Sequence, residues 1–117
     1  MDLQLKNKTA LVTGASVGIG RGIAKALAAE GMHVAVSARR VDKLQELAAE
    51  IVAAGGQAPV IIESDLYAED AAKRLAEAAL AGLGRVDILV NNAGGSRSFK
   101  ELHVSEEAWQ EAITLNF

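Results

Sequence analysis

The chain has no cysteine, which excludes disulfide staples, thiolate zinc sites and thiol catalysis. Aromatic residues make up only 3% of it, so the stacking platforms that a single-strand nucleic-acid binder needs are missing. Positive charge is not in excess either. Twelve Lys and Arg against 15 Asp and Glu leave a net charge of −3, and no basic surface is available for nucleic acid. No apolar run approaches membrane-spanning length, and residues 1–10 alternate apolar and polar side chains without a signal-peptide core. The expectation is a cytoplasmic protein with neither nucleic acid nor membrane as partner. What the chain does have is 117 residues at 50% hydrophobic and 23% charged content, the make-up of one folded domain over residues 1–117.

The hydrophobic period switches repeatedly between two and 3.6. Short β-branched or aliphatic runs at residues 9–13, 33–38, 59–63 and 86–90 are bounded by Gly, Asp or Asn and predict strands. Helical patterns lie between them. Ile19, Ile23 and Leu27 form one stripe, Leu44, Leu47, Ala48 and Ile51 a second, and Leu75, Ala78, Ala79 and Leu83 a third. Asp42 followed by Gln45 resembles a capping box, Gly55-Gly56 a helix stop, and Gly82 and Gly84 the close of the third helix. Ser105, with Glu106 and Glu107 behind it, starts a fourth. This alternation implies an α/β fold with right-handed crossovers and a parallel sheet covered on both faces. The fourth helical pattern, Ala108, Trp109, Ile113 and Leu115, reaches Phe117 without a Gly, Pro or basic last turn. In a sheet of order 3-2-1-4 the apolar fourth strand would also be a bare edge. Both features lead to the expectation that more chain follows and that this is the first half of a larger unit.

The first strand runs into Thr13-Gly14-Ala15-Ser16-Val17-Gly18-Ile19-Gly20, and a helix opens inside that stretch. Gly14 permits a tight turn, Gly18 a close approach of backbone to a pyrophosphate, and Gly20 close packing of helix on strand. The free N–H groups of the first helical turn then face an anion. A Walker-type loop requires Gly-Lys-Ser/Thr, whereas Gly20 is followed by Arg21-Gly22. A methyltransferase or an NAD-preferring site calls for a carboxylate at the end of the second strand. That strand ends Ser37-Ala38-Arg39-Arg40, and a guanidinium in this place suits the extra phosphate of NADP, with Arg39 placed ahead of Arg40. His33 and His103 have no ligand partners at metal spacing, so no metal is expected.

The TGxxxGIG pattern at residues 13–20 resembles the fingerprint of the short-chain dehydrogenase/reductase family. Asn91-Asn92-Ala93-Gly94 after the fourth strand, Asp65-Leu66 after the third, and Trp109 with Asn116 resemble further motifs of that family, in the same order. The resemblance implies a Rossmann-type doubly wound parallel sheet, cut short after the fourth strand and the start of the fourth helix. It implies that Gly14, Ser16, Gly18, Ile19 and Gly20 line the adenosine ribose and pyrophosphate of the cofactor. Arg39 would hold the 2′-phosphate, since the NAD-type Asp position falls on Ala38. Asp65 would bond the adenine amino group and Leu66 add a backbone contact, while Asn92, Ala93 and Gly94 shape the floor near the nicotinamide ribose. NADP is the implied cofactor, with NAD the less favoured one.

The family's proton-transfer machinery is a Tyr-x-x-x-Lys pair on one helix face with a preceding Ser. Here the single tyrosine, Tyr67, is followed four residues later by Ala71. Of the family's catalytic set only Asn116 is present, where its side chain would support a relay water. The implied enzyme is an NADP(H)-dependent oxidoreductase moving hydride between nicotinamide and a carbonyl or secondary alcohol, 3-oxoacyl-carrier-protein-reductase-like by analogy. Its substrate is a small molecule lying against residues 94–99, and its assembly a homotetramer or dimer at full length. The alternative is an inactive module that binds NADP and nothing more. Without the Tyr and Lys, residues 1–117 alone are expected to be inactive.

Overall fold

One of the two interior strands of the sheet is β1, Thr9–Thr13, every residue of which is buried. The computed structural model describes residues 5–65 and 70–92. Along them β1 is followed by α1 (Gly18–Ala29), β2 (His33–Ala38), α2 (Val41–Ala53), β3 (Val60–Glu63), α3 (Ala71–Leu83) and β4 (Ile88–Asn91). The strands are all parallel, in the order β3-β2-β1-β4, the order that the strand–helix alternation and the resemblance implied. Thr13 stands level with Ser37 on one side and Asn91 on the other, so the chain leaves β1, β2 and β4 along one edge of the sheet.

Side chains alternate across a strand, and this sorts the core into two layers. Ala10, Val12, Val34 and Val36 face α1 and α2, where they meet Ala24, Ala28, Leu44, Leu47 and Ile51. Leu11 and Ala35 face the other way, toward Leu75, Ala76 and Ala79 of α3. A strand covered on both faces has no polar side, which is why β1 reads Ala-Leu-Val at its centre.

Several expectations need correction. The fully buried residues of α1 are Gly20, Ala24 and Ala28; of the predicted stripe, Ile23 and Leu27 pack against the same core as partly buried residues, while Ile19 is 74% exposed. Small residues face the sheet because the helix lies close to it. Asp42 is no cap: Arg40 holds the N-cap position of α2, and Asp42 is in the first turn, where a carboxylate complements the helix dipole. Gly82 is in the last turn of α3 and Gly84 ends the helix, as expected. A Cβ at Gly82 would lie 2.8 Å from Val60 Cγ1, so this glycine lets α3 approach β3. Pairing of β3 starts at Val60, since Pro59 has no N–H to give a ladder. Strand β4 starts at Ile88 and not at residue 86, because Val86 is buried among the α3 side chains and Asp87 is engaged elsewhere. Ile88, Leu89 and Val90 are half-buried, less enclosed than a strand covered on both faces. The fourth helix expected from Ser105 lies outside the described residues.

Asp87 fastens the start of β1 to the start of β4. Its Oδ2 accepts from the Thr9 N–H at 2.8 Å and from Arg85 Nε at 3.1 Å. The Thr9 hydroxyl accepts from the Asp87 N–H at 3.1 Å. Its own proton is shared between the Arg85 carbonyl (2.7 Å) and Asp87 Oδ2 (3.1 Å). Burial pushes the Asp87 carboxyl upward, but donation from Thr9 and Arg85 outweighs that and holds it below the ordinary carboxylate value. A depressed carboxylate contributes stability that is complete above its unfolded pKa of about 4 and is lost as pH falls through the folded value. Urea midpoints measured down an acid series are therefore expected to fall below about pH 4. Asp87→Asn is expected to flatten that fall and to cost about 1 kcal/mol at neutral pH, the difference between charged and neutral hydrogen bonds. An identical acid profile in the variant would remove Asp87 as its source.

Candidate functional site

The carboxyl edge of the sheet collects the glycine turn, Arg39, Asp65 and Asn92, each just past the last residue of its strand. In open parallel sheets ligands bind along this edge, where strand order reverses about the first strand. That reversal lies between β1 and β4 here.

Gly14 and Gly18 both have φ of +62°, a left-handed backbone that side-chain-bearing residues seldom adopt. Between them Ala15 is fully buried, and its N–H donates to the Ser37 carbonyl at 3.1 Å, tying the turn to β2. Ser16 is half-buried, and Val17, the N-cap of α1, is extended at φ −145°. No side chain caps this helix and its first turn carries no acid. Among the described residues the N–H groups there have no side-chain acceptor, at the positive end of the helix dipole. Among the described residues a Cβ built on Gly18 meets nothing within 4 Å. At Gly20 the opposite holds. A Cβ there would collide with the Gly14 carbonyl and lie 2.6 Å from Asn92 Nδ2.

Asn92 stands over the turn because Thr13 holds it there. The Thr13 hydroxyl, buried at the end of β1, accepts the Asn92 N–H at 3.0 Å and lies 3.1 Å from Asn91 Oδ1. Asn92 Nδ2 in turn donates to the Gly14 carbonyl at 3.4 Å. The glycine turn and the start of the Asn-Asn-Ala-Gly segment thus form one bonded unit. The Thr13 hydroxyl network was missed by the sequence reading. Its signal was a hydroxyl at the last position of an otherwise apolar buried strand.

The two arginines after β2 have separate fates. Arg40 Nε and Nη2 bond both oxygens of Asp42, at 3.0 and 2.7 Å. That hydrogen bonding raises the guanidinium pKa and lowers that of the carboxyl. Arg39 is exposed and makes no hydrogen bond or ion pair with the described residues. Asp65 is exposed beyond β3. His33 begins β2 and its N–H donates to the Lys8 carbonyl at 3.0 Å, a strand-start position. Among the described residues no group of three His, Asp or Glu side chains could hold a metal, and no helix is long and apolar enough to cross a membrane. Leu66, Tyr67, Ala93, Gly94, His103, Trp109 and Asn116 lie outside the described residues.

The sequence pattern described as short chain dehydrogenase matches residues 8–117, nearly the whole chain. The chain belongs to the short chain dehydrogenase family. A short chain dehydrogenase of Pseudocercospora fijiensis is 50% identical over 94 residues, covering 80% of this chain and 30% of that protein. The 3-oxoacyl-[acyl-carrier-protein] reductase of a Synechocystis strain is 42% identical over 113 residues, 96% of this chain and 45% of the reductase. Among solved structures, a metagenomic short-chain oxidoreductase in complex with NADP superposes with a TM-score of 0.82 at 36% identity, over 92% of this chain and 57% of that one. The chain spans about half the length of family members such as these last two. Its parallel sheet with helices on both faces is the family's Rossmann-type fold.

Proposed function

We propose that this chain is the dinucleotide-binding part of an NADP(H)-dependent oxidoreductase that moves hydride between nicotinamide and a carbonyl or secondary alcohol. The observation that carries the reading is the pairing, among the described residues, of an uncapped, acid-free α1 N-terminus under the glycine turn with an Arg39 that has no ion-pair partner on the same sheet edge. The first suits a pyrophosphate. The second suits a further phosphate on the ribose, because a guanidinium bonds phosphate oxygens as a fork and Arg39 has no competing carboxylate among the described residues. Arg40, already bonded to Asp42, is the poorer candidate. The likeness to an NADP complex and to a 3-oxoacyl-[acyl-carrier-protein] reductase supports the same chemistry.

In this reading Gly14, Ser16, Gly18, Ile19 and Gly20 form the cradle for ribose and pyrophosphate, and Asp65 with Leu66 receives the adenine. Asn92, Ala93 and Gly94 floor the nicotinamide side, and Asn116 supports a proton relay. The bound nicotinamide supplies or accepts the hydride. The protein's task on this edge is to hold the cofactor still and to select it by its phosphate. A Tyr-x-x-x-Lys pair does not occur in residues 1–117, so these residues alone are expected to bind the cofactor without turning it over.

Arg39→Ala tests the selection step. The expected result is NADPH binding weakened by about 1.5–3 kcal/mol, the size of hydrogen bonds to a charged group. NADH binding should stay nearly unchanged when both are measured by titration calorimetry. Equal losses for the two cofactors would overturn the assignment of Arg39 to the 2′-phosphate.

A further inference from the structure

Arg21 lies one residue past Gly20 on α1, yet its side chain does not run out into solvent; it is only 23% exposed. The guanidinium reaches back over the helix start. Its Nη1 donates to the Ser16 carbonyl at 3.5 Å and to the Lys43 carbonyl in the first turn of α2 at 3.4 Å. Its Nη2 pairs with the Glu50 carboxylate further along α2, which Lys25 approaches to 3.6 Å. Arg21 therefore joins the glycine turn to the helix that follows Arg39.

The Ser16 carbonyl shares a peptide plane with the Val17 N–H. A trans peptide points these two groups in opposite directions, and none of the peptide bonds among the described residues is cis. Holding the carbonyl on the α2 side turns the Val17 N–H outward, away from that anchor. This N–H has no acceptor among the described residues, and Val17 is 63% exposed at the open turn.

We propose that Arg21 is a positioning residue which, by gripping the Ser16 carbonyl, aims the Val17 N–H as a donor to the phosphates of a bound dinucleotide. The proposal rests on the dinucleotide-binding reading above and adds a residue that does not itself touch the ligand. Arg21 acts on a group common to both cofactors, unlike Arg39, so NADPH and NADH are affected alike. A simple strut between α1 and α2 would depend equally on both ends of the Arg21–Glu50 pair. A positioning residue does not: with Glu50 neutralised, the guanidinium still has Ser16 and Lys43 to hold.

The test is titration calorimetry of NADPH and NADH on the purified full-length protein and its Arg21→Met, Arg21→Lys and Glu50→Gln variants, each with a melting curve. Arg21→Met is expected to raise Kd about tenfold for both cofactors, the effect of losing one oriented hydrogen bond to a charged group. Glu50→Gln is expected to lower Tm while leaving Kd within about twofold. An unchanged Kd in Arg21→Met overturns the proposal, as does an equal rise in Glu50→Gln, which would make Arg21 a strut. If Arg21→Met does not fold, Arg21→Lys decides. Lysine keeps the charge but cannot span both carbonyls, so a weakened Kd at unchanged Tm supports positioning and an unchanged Kd overturns it. Failure of the parent protein to bind either cofactor would instead overturn the dinucleotide-binding reading, and this proposal with it.

Discussion

Replacing Gly20 with alanine is expected to destabilise the protein by about 2 kcal/mol and to remove most of its affinity for a dinucleotide. Two effects compete. Alanine in a helix is favoured over glycine by about 1 kcal/mol. Against that, the added methyl would overlap the Gly14 carbonyl and stand 2.6 Å from Asn92 Nδ2. The first neighbour is backbone fastened at the end of β1. The second belongs to a residue whose N–H is bonded to Thr13. The Asn92 amide ends a side chain and can rotate, but the Gly14 carbonyl is backbone and cannot, so overpacking wins, and forced shifts of this kind cost about 1–3 kcal/mol. The shift falls on the turn proposed to hold the phosphates, which couples stability to binding. Gly22 supplies the control. It lies in the same helix with nothing within 4 Å of a Cβ, so Gly22→Ala is expected to stabilise by about 0.5–1 kcal/mol through propensity alone. Urea midpoints and NADPH affinity for the two variants check this. If Gly20→Ala proved as stable as Gly22→Ala, the close contact between α1 and the ends of β1 and β4 would be wrong.

Leu47→Ala is expected to cost more, about 3 kcal/mol within the 2–5 kcal/mol seen for buried leucine truncations. Leu47 is fully buried on α2, in the layer that holds Val34 and Val36 of β2. Its loss removes apolar contact and leaves a cavity that rigid strands cannot close. A domain stable by only about 5–15 kcal/mol registers this as a large drop in urea midpoint. Val52, five positions along the same helix, is 51% exposed, and Val52→Ala should stay within about 0.5 kcal/mol. Similar losses at both positions would show that α2 does not present Leu47 to the sheet.

The elements themselves were legible in the chain because they rest on local rules. Strand periodicity, helical spacing and glycine punctuation gave β1 and β2 to the residue and placed all three described helices. The glycine turn and the absence of a carboxylate at the end of the second strand were equally visible, since each is carried by a few consecutive residues. What the chain could not show was decided by partners distant in sequence. On α1, Ile23 and Leu27 border the core as their spacing predicts, but Ile19, which continues the same hydrophobic stripe, is exposed. Only the nearness of the sheet, with Gly14 and Asn92 against Gly20, selects the small residues. The start of β4 moved because Asp87 is captured by Thr9, 78 positions away. A short-range pairing also escaped the pattern: Asp42, two positions on, engages Arg40. Local propensity and pattern thus determined which segments are strands, helices and turns. Only the tertiary structure, by bringing remote groups within bonding distance, decided which faces are buried and which polar groups near the ends of β1 and β4 are bonded to one another.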